Sequence, residues 1–386
     1  MRLLPDQDEL DLAASLRALL AAECPTSVVR RLRDNPEEKM PERLWAALAD
    51  AGVFGLALPT AYGGAGGALS ALGVFYVEAG RALCPTLVHS TVQAALAIDV
   101  LGAAKHRAAW LPGLAAGTTT ATTSLFSARD AAVIEPPVSA RLEGDGSWRL
   151  QGSADFVLDA DCADLLVVSA VDDDEHIVGF VLDIHAANVN VTPLPVMGGY
   201  RTFRITFDDV PVTDPRAVLT GPDGNGLPDD ALHRLANTAV ALLSLDLVGV
   251  GEAVLQRTVE YTKARKQFGR PIASFQAAQH LIADMHIALA AARLAGHSAA
   301  YWLDDDGDST WETAIARMHG ATAAKLITLD AHQLHGGMGY VVETDLHLFS
   351  ERARVLSTLG GGADVAATWL MSESPHRMFL AEDKAW

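Results

Sequence analysis

The chain has 386 residues, half of them apolar, and sets 29 basic against 48 acidic side chains for a formal net charge of −19. That length can bury a large core, and that apolar content excludes a disordered chain. The charge repels nucleic acid and anionic membranes, so neither is an expected partner, and a phosphate-bearing ligand needs a local basic patch.

Three cysteines, Cys24, Cys84 and Cys162, form no C-x-x-C pair. They argue against a disulfide framework or a zinc site, and they fit a reducing cytoplasm. The N-terminal residues carry no apolar signal core. The longest apolar run, Thr238 to Gly251, is too short to span a bilayer and contains Asp246. A cytoplasmic chain without membrane insertion or a targeting segment is the expectation.

In chain order, residues 7–34 predict a helix with Leu10, Leu12, Leu16, Leu19 and Leu20 on one face. A second helix fits residues 41–52, with Pro41 in its first turn and Gly52 past its end. A glycine-rich loop follows from Tyr62, and two Ala/Leu-rich helices are predicted over 68–115. The pattern changes near Thr118. Between residues 148 and 210, short β-rich runs such as Leu165-Leu-Val-Val-Ser and Phe203-Arg-Ile-Thr-Phe alternate with turn signals. Long helices are predicted over 229–266, 273–303 and 310–335, the last two separated by a solvated acidic turn, Asp304 to Asp308. The expected fold is mainly α with a small central β domain. Its three parts are residues 1–117, helical; 118–225, β; and 226–386, a helical bundle.

Two segments concentrate chemistry. The first runs from Tyr261 to Met285 and gathers Lys263, Arg265, Lys266 and Arg270 where a helix breaks at Gly269-Arg-Pro271. In so acidic a chain, this is the basic patch an anion needs, and Arg265 suits bidentate pairing with a pyrophosphate. The second, Gln333-Leu-His-Gly-Gly-Met-Gly-Tyr340, ends a helix on Gly336 and Gly337, whose backbone N–H groups a phosphate or adenine can approach closely. Singly, each has a plainer reading as a solvated helix end or a glycine stop.

Together, and with the helix–β–helix order and the stretch from Trp45 to Gly64, they closely resemble the acyl-CoA dehydrogenase family over nearly the whole chain. The resemblance implies a helical bundle, a β-barrel or sandwich and a four-helix bundle. It also implies tetramers, built as dimers of dimers, with FAD lying between subunits. Arg265, Gln267, Phe268, Gln333 and Gly337 match positions that reach an FAD held mainly by the neighbouring subunit, and Gly336 belongs to the same turn. The implied chemistry is removal of the α-proton of an acyl-CoA thioester by a glutamate, with the β-hydride passing to the flavin. The electrons then leave to an electron-transfer flavoprotein.

The sequence departs from that pattern at the base. One family location for the glutamate corresponds here to Gly360, with Gly362 in place of a threonine; the other corresponds to Ala239. Neither residue accepts a proton, although the Gly360 N–H is available in principle to a thioester carbonyl. The flavin-side turns depart too, reading Ser124-Leu-Phe-Ser-Ala-Arg-Asp130 and Phe156-Val-Leu-Asp-Ala160, with Leu158 replacing a hydroxyl. Asp246 is a candidate replacement base if burial raises its pKa. Its plainer reading is a structural carboxylate paired with a basic side chain of another helix. Glu252 and Glu343 read as ordinary surface or interface residues, and His335 as part of its turn.

The leading expectation is a base-lacking subunit that completes the FAD site of a homologous α-type chain, as in heterotetrameric bacterial enzymes acting on steroid side chains. A self-sufficient homo-oligomer acting on a CoA- or carrier-bound acyl group is a second reading. A flavin-free scaffold is a third.

Overall fold

The structure, a computed structural model, describes residues 5–35, 37–221, 226–304 and 309–380, with side chains described to residue 371. The N-terminal residues before Pro5, and the acidic turn beyond Asp304, lie outside the described residues.

The expected helix over 7–34 is two helices, α1 (Gln7–Glu23) and α2 (Thr26–Asp34). Pro25 lacks an N–H and restricts Cys24, so the chain turns there. Asp6 and Glu9 close a reciprocal cap at the start of α1. Leu16 and Leu20 are buried, whereas Leu10 is exposed, so the apolar face is narrower than the leucine pattern suggested. Helix α3 (Glu42–Asp50) starts after Pro41, and Gly52 stands just past its end at φ 71°. The region expected to hold two helices holds three: α4 (Leu69–Ala82), α5 (Leu87–Leu101) and α6 (Ala104–Ala115). Leu83 in left-handed backbone, followed by Pro85, ends the first, and Gly102 ends the second.

The β region is one eight-stranded mixed sheet. Its strands are β1 (Ala121–Ser124), β2 (Val138–Leu142), β3 (Trp148–Leu158), β4 (Leu165–Val171), β5 (Ile177–Asp183), β6 (Val189–Pro193), β7 (Thr202–Val212) and β8 (Val218–Leu219). The order is β6-β7-β3-β2-β4-β5-β8, with β1 parallel to β4. Leu150, Leu166, Val168, Phe180, Ile205 and Phe207 meet in one cluster, so the sheet surrounds a core of its own. A register shift between Ala154 and Val157 on β3 aims Phe156, at φ 60°, and Leu158 toward the helices.

Helix α7 (Asp229–Ala264) runs unbroken for 36 residues. It is long and apolar enough to cross a membrane, but 94% of its apolar window is buried inside the fold, as in a core helix. The run Thr238 to Gly251 is thus the middle of one long helix. It packs against α4 at close range: a Cβ on Gly249 would lie 1.9 Å from the Val77 carbonyl oxygen, and one on Gly80 2.0 Å from that of Asp246. A two-stranded hairpin, β9 (Lys266–Gln267) and β10 (Arg270–Pro271), interrupts the helices. Then follow α8 (Gln276–Asp304), α9 (Thr310–His335), α10 (Leu346–Leu356) and α11 (Ala363–Leu380). Helices on both sides of a central sheet are the mainly α arrangement with a small β domain that the sequence predicts.

Candidate functional site

Ala239 and Gly360, far apart in sequence, line the same cleft between α5, α7 and the sheet. The cleft has a volume of about 60 Å³ and is also walled by Ser90, Gln93, Thr122 to Phe126, Ala128, Asp155 to Leu158, Val240, Leu243 and Leu359. Both sequence positions where the resemblance implies a glutamate therefore converge on one space. Asp155 is the one acidic residue of that lining. Arg204 grips it through two nitrogens, at 2.5 and 2.7 Å, and holds its carboxyl below the usual range. A carboxylate so engaged is a poor proton acceptor. The hydroxyls of Thr123 and Ser124 make no hydrogen bond within the chain among the described residues.

The Gly360 N–H is not available to a ligand, contrary to the expectation. It donates to the Ala128 carbonyl at 2.7 Å, while the Gly360 carbonyl accepts the Ala131 N–H at 3.0 Å. At φ 76° the position also disfavours any side chain. A glutamate could not simply be restored there.

Asp246 takes the plainer of its two readings. It is 0% exposed, does not line the cleft, and accepts from Arg352 at 2.9 and 2.5 Å and pairs with His89 Nε2 at 2.9 Å. Burial pushes its carboxyl up, but the charge and hydrogen bonds of Arg352, with the His89 hydrogen bond, outweigh burial and hold it below the ordinary range. It stands as a carboxylate paired with a basic side chain of another helix, away from the cleft. Burial likewise pushes the His89 imidazole down. Glu252 is not a surface residue: it is buried and ion-paired with Arg81 and Arg293. Glu343 is exposed, and Arg30 donates to its backbone carbonyl. His335 stacks on Tyr261 with centroids 4.2 Å apart and engages the Ala331 carbonyl, as a turn residue would.

Asp159 stands in no chemical motif of the sequence. Its carboxyl is 2% exposed and accepts from Ser90 Oγ at 2.7 Å and Thr86 Oγ1 at 3.0 Å. Burial pushes it up to about 6. Ser90 faces the cleft and Asp159 faces a second pocket, so the pair bridges the two. No motif marks this pair; only the packing of α5 against the end of β3 creates it.

The second cluster is built at the other end of α7. Tyr261 Oη donates to the His335 carbonyl at 3.3 Å, which joins the end of α7 to the end of α9. This brings Arg265, Gln267 and Phe268 to the same end of the bundle as Gln333, Gly336 and Gly337, and all six are exposed. Phe268 and Gly269 form the two-residue hairpin turn, both at positive φ, and Phe268 is 93% exposed. A Cβ built on Gly269, Gly336 or Gly337 meets nothing within 4 Å. These glycines therefore face open space that the chain itself does not use, as a cradle for a flat or phosphorylated group would. No carboxylate pairs with Arg265 among the described residues.

Along α7, Ala239 and Ala264 are separated by roughly 38 Å of helix rise. The cleft and the Arg265 hairpin therefore lie toward opposite ends of the same helix.

Known proteins share the sequence and the fold of this chain. The chain matches the N-terminal domain of acyl-CoA dehydrogenases over residues 6–118 and their C-terminal domain over residues 230–372. It is 31% identical over 354 residues to the acyl-CoA dehydrogenase IpdE2 of Mycobacterium tuberculosis, across 90% of this chain and 92% of that protein. It superimposes on a variant of the Tcur3481-Tcur3483 steroid acyl-CoA dehydrogenase with a TM-score of 0.85 at 30% identity, covering 96% of this chain and 99% of that one. The ChsE4-ChsE5 complex from Mycobacterium tuberculosis gives a TM-score of 0.87 at 25% identity, with 97% and 99% covered. The chain belongs to the acyl-CoA dehydrogenase family of FAD-dependent oxidoreductases.

Proposed function

We propose that this chain is a base-lacking subunit of a heteromeric acyl-CoA dehydrogenase, completing the FAD site of a homologous α-type chain. The observation that carries the reading is the division of the site. The exposed cofactor-side residues are intact at one end of α7, while the cleft at the other end holds Ala239 and Gly360 in place of a base. Similarity to the two-chain assemblies Tcur3481-Tcur3483 and ChsE4-ChsE5 supports it.

Arg265 would meet the pyrophosphate of the neighbour's FAD, Phe268 and Gln267 would cover it, and Gln333, Gly336 and Gly337 would bed its adenine side. When bound, FAD supplies the hydride acceptor for α,β-dehydrogenation of an acyl thioester, and an electron-transfer flavoprotein reoxidises it. The proton acceptor comes from the α-type chain.

The test is the visible spectrum and native mass of this chain expressed alone and with an α-type chain. The expected result is a colourless protein alone and a yellow assembly on co-expression. Arg265→Ala should weaken FAD retention in that assembly about tenfold or more, through loss of charge-assisted hydrogen bonds. A yellow homotetramer with about one FAD per chain would overturn the reading.

That outcome would favour the self-sufficient reading, acting on a CoA- or carrier-bound acyl group. One observation speaks for it: Ser90 links the cleft to the Asp159 carboxyl, which burial pushes up to about 6. Loss of turnover in Ser90→Ala with FAD content unchanged would then identify the relay. The flavin-free scaffold predicts instead that Arg265→Ala leaves the FAD content of every assembly unchanged.

A further inference from the structure

Arg317 projects from α9 into the core and is 0% exposed. No carboxylate pairs with it among the described residues, and burial alone pushes its guanidinium down to about 9. Its Nε donates to the Gly361 carbonyl at 2.7 Å and its Nη2 to the Leu359 carbonyl. Its Nη1 is buried with no hydrogen-bond partner. A buried cation without a counter-charge opposes folding, and an apolar side chain of similar length commonly serves stability as well or better. Stability of the fold therefore does not account for this residue.

What it holds does account for it. The two carbonyls flank Gly360, and Leu359 and Gly360 form one wall of the cleft. On the other side the same turn is tied to Ala128 and Ala131 through the Gly360 backbone. Trp369 Nε1 donates to Asp130 Oδ1 at 2.9 Å and fixes that neighbouring segment from α11. The wall is clamped from both faces although its glutamate is gone.

We propose that Arg317 is a positioning residue that locks the Leu359–Gly361 turn, so that the base-lacking cleft keeps a form that receives an acyl thioester. This rests on reading the cleft as a thioester site, and it holds whichever chain carries the FAD. The chain thus retains a binding site that it does not itself turn over, and the positive charge behind the wall favours an electron-rich atom, such as a thioester oxygen, beside Gly360.

The test compares Arg317→Met and Arg317→Lys with the unaltered full chain in its native assembly. Three quantities are read: Tm, hydrogen exchange at the Gly360 and Ala131 amides, and calorimetric binding of crotonyl-CoA. In Arg317→Met, Tm should be kept or raised, the two amides should exchange at least tenfold faster, and crotonyl-CoA should bind about tenfold more weakly. Arg317→Lys should fall between. A lowered Tm with exchange at those amides unchanged would show a merely structural residue and overturn the proposal. If Arg317→Met does not fold, Arg317→Lys decides: faster exchange confined to the two amides supports the proposal, and unchanged exchange overturns it. Failure of the unaltered assembly to bind crotonyl-CoA would overturn the thioester reading while leaving the exchange difference in place, so the two failures are distinguishable. FAD content reports separately on the partner-subunit reading.

Discussion

Asp159 occupies left-handed backbone at φ 54°, which aspartate tolerates better than most residues, and there it accepts two hydroxyl hydrogen bonds. Its folded carboxyl titrates at about 6, above its ordinary 3.8, chiefly because it is buried. The folded state therefore holds the proton more tightly, so the group's contribution is favourable at low pH and is lost as pH rises through about 6. Asp159→Asn removes that loss while keeping the shape. Its Tm should exceed that of the unaltered chain by about 2–4 °C above pH 7, and the gap should close below about pH 4. Thermal melts across pH measure this, and a constant gap would refute it. At this scale the sequence was legible only where a residue stands in a motif. Arg265 and Gly337 could be read from their neighbours in the chain. Asp159 and Arg317 could not, because their meaning comes from partners tens or hundreds of residues away.

At the scale of elements, Asp246 on α7 binds Arg352 on α10 and His89 on α5, so one carboxylate ties three helices. Arg352 further donates to the Cys84 carbonyl at the end of α4. Removing the negative charge leaves a buried guanidinium without its partner. Asp246→Asn should therefore cost about 3–5 kcal/mol of stability at neutral pH, measured by urea unfolding. Because the Asp246 pKa is depressed on folding, this contribution is present above the unfolded value and is lost as pH falls through the lower folded one. Loss of activity without loss of stability would instead revive Asp246 as a base. The helices themselves were legible in outline, since a 3.6-residue apolar period survives in any context. Their ends were less so: Pro25 stops a helix inside a run read as continuous, and Leu83 and Gly102 divide into three a stretch read as two helices.

At the scale of the whole molecule, the cleft and the exposed hairpin lie toward opposite ends of α7, and the proposed function joins them through a second chain. The exposed apolar residues fit one. Ile287, Leu294 and Tyr301 recur every seventh residue on one exposed stripe of α8, which suits packing against another helix. Phe268, Met338, Tyr340 and Val342 are exposed at the cofactor end of the bundle. Leu294→Glu should reduce the native assembly to smaller species, read by light scattering, with helix content unchanged by circular dichroism. An unaltered mass would exclude α8 from the interface.

By itself, the sequence determined the family and the mainly helical architecture, and it marked the residues proposed to face a cofactor. Each of these is carried by local periodicity or by a contiguous motif, and local patterns need no partner to be read. The tertiary structure alone decided that Ala239 and Gly360 share one cleft, that Asp246 is paired with Arg352, and that Arg317 donates to the carbonyls on either side of Gly360. Those facts depend on which side chains meet across the core, and burial and pairing, not residue type, set whether a carboxylate is a base or a strut.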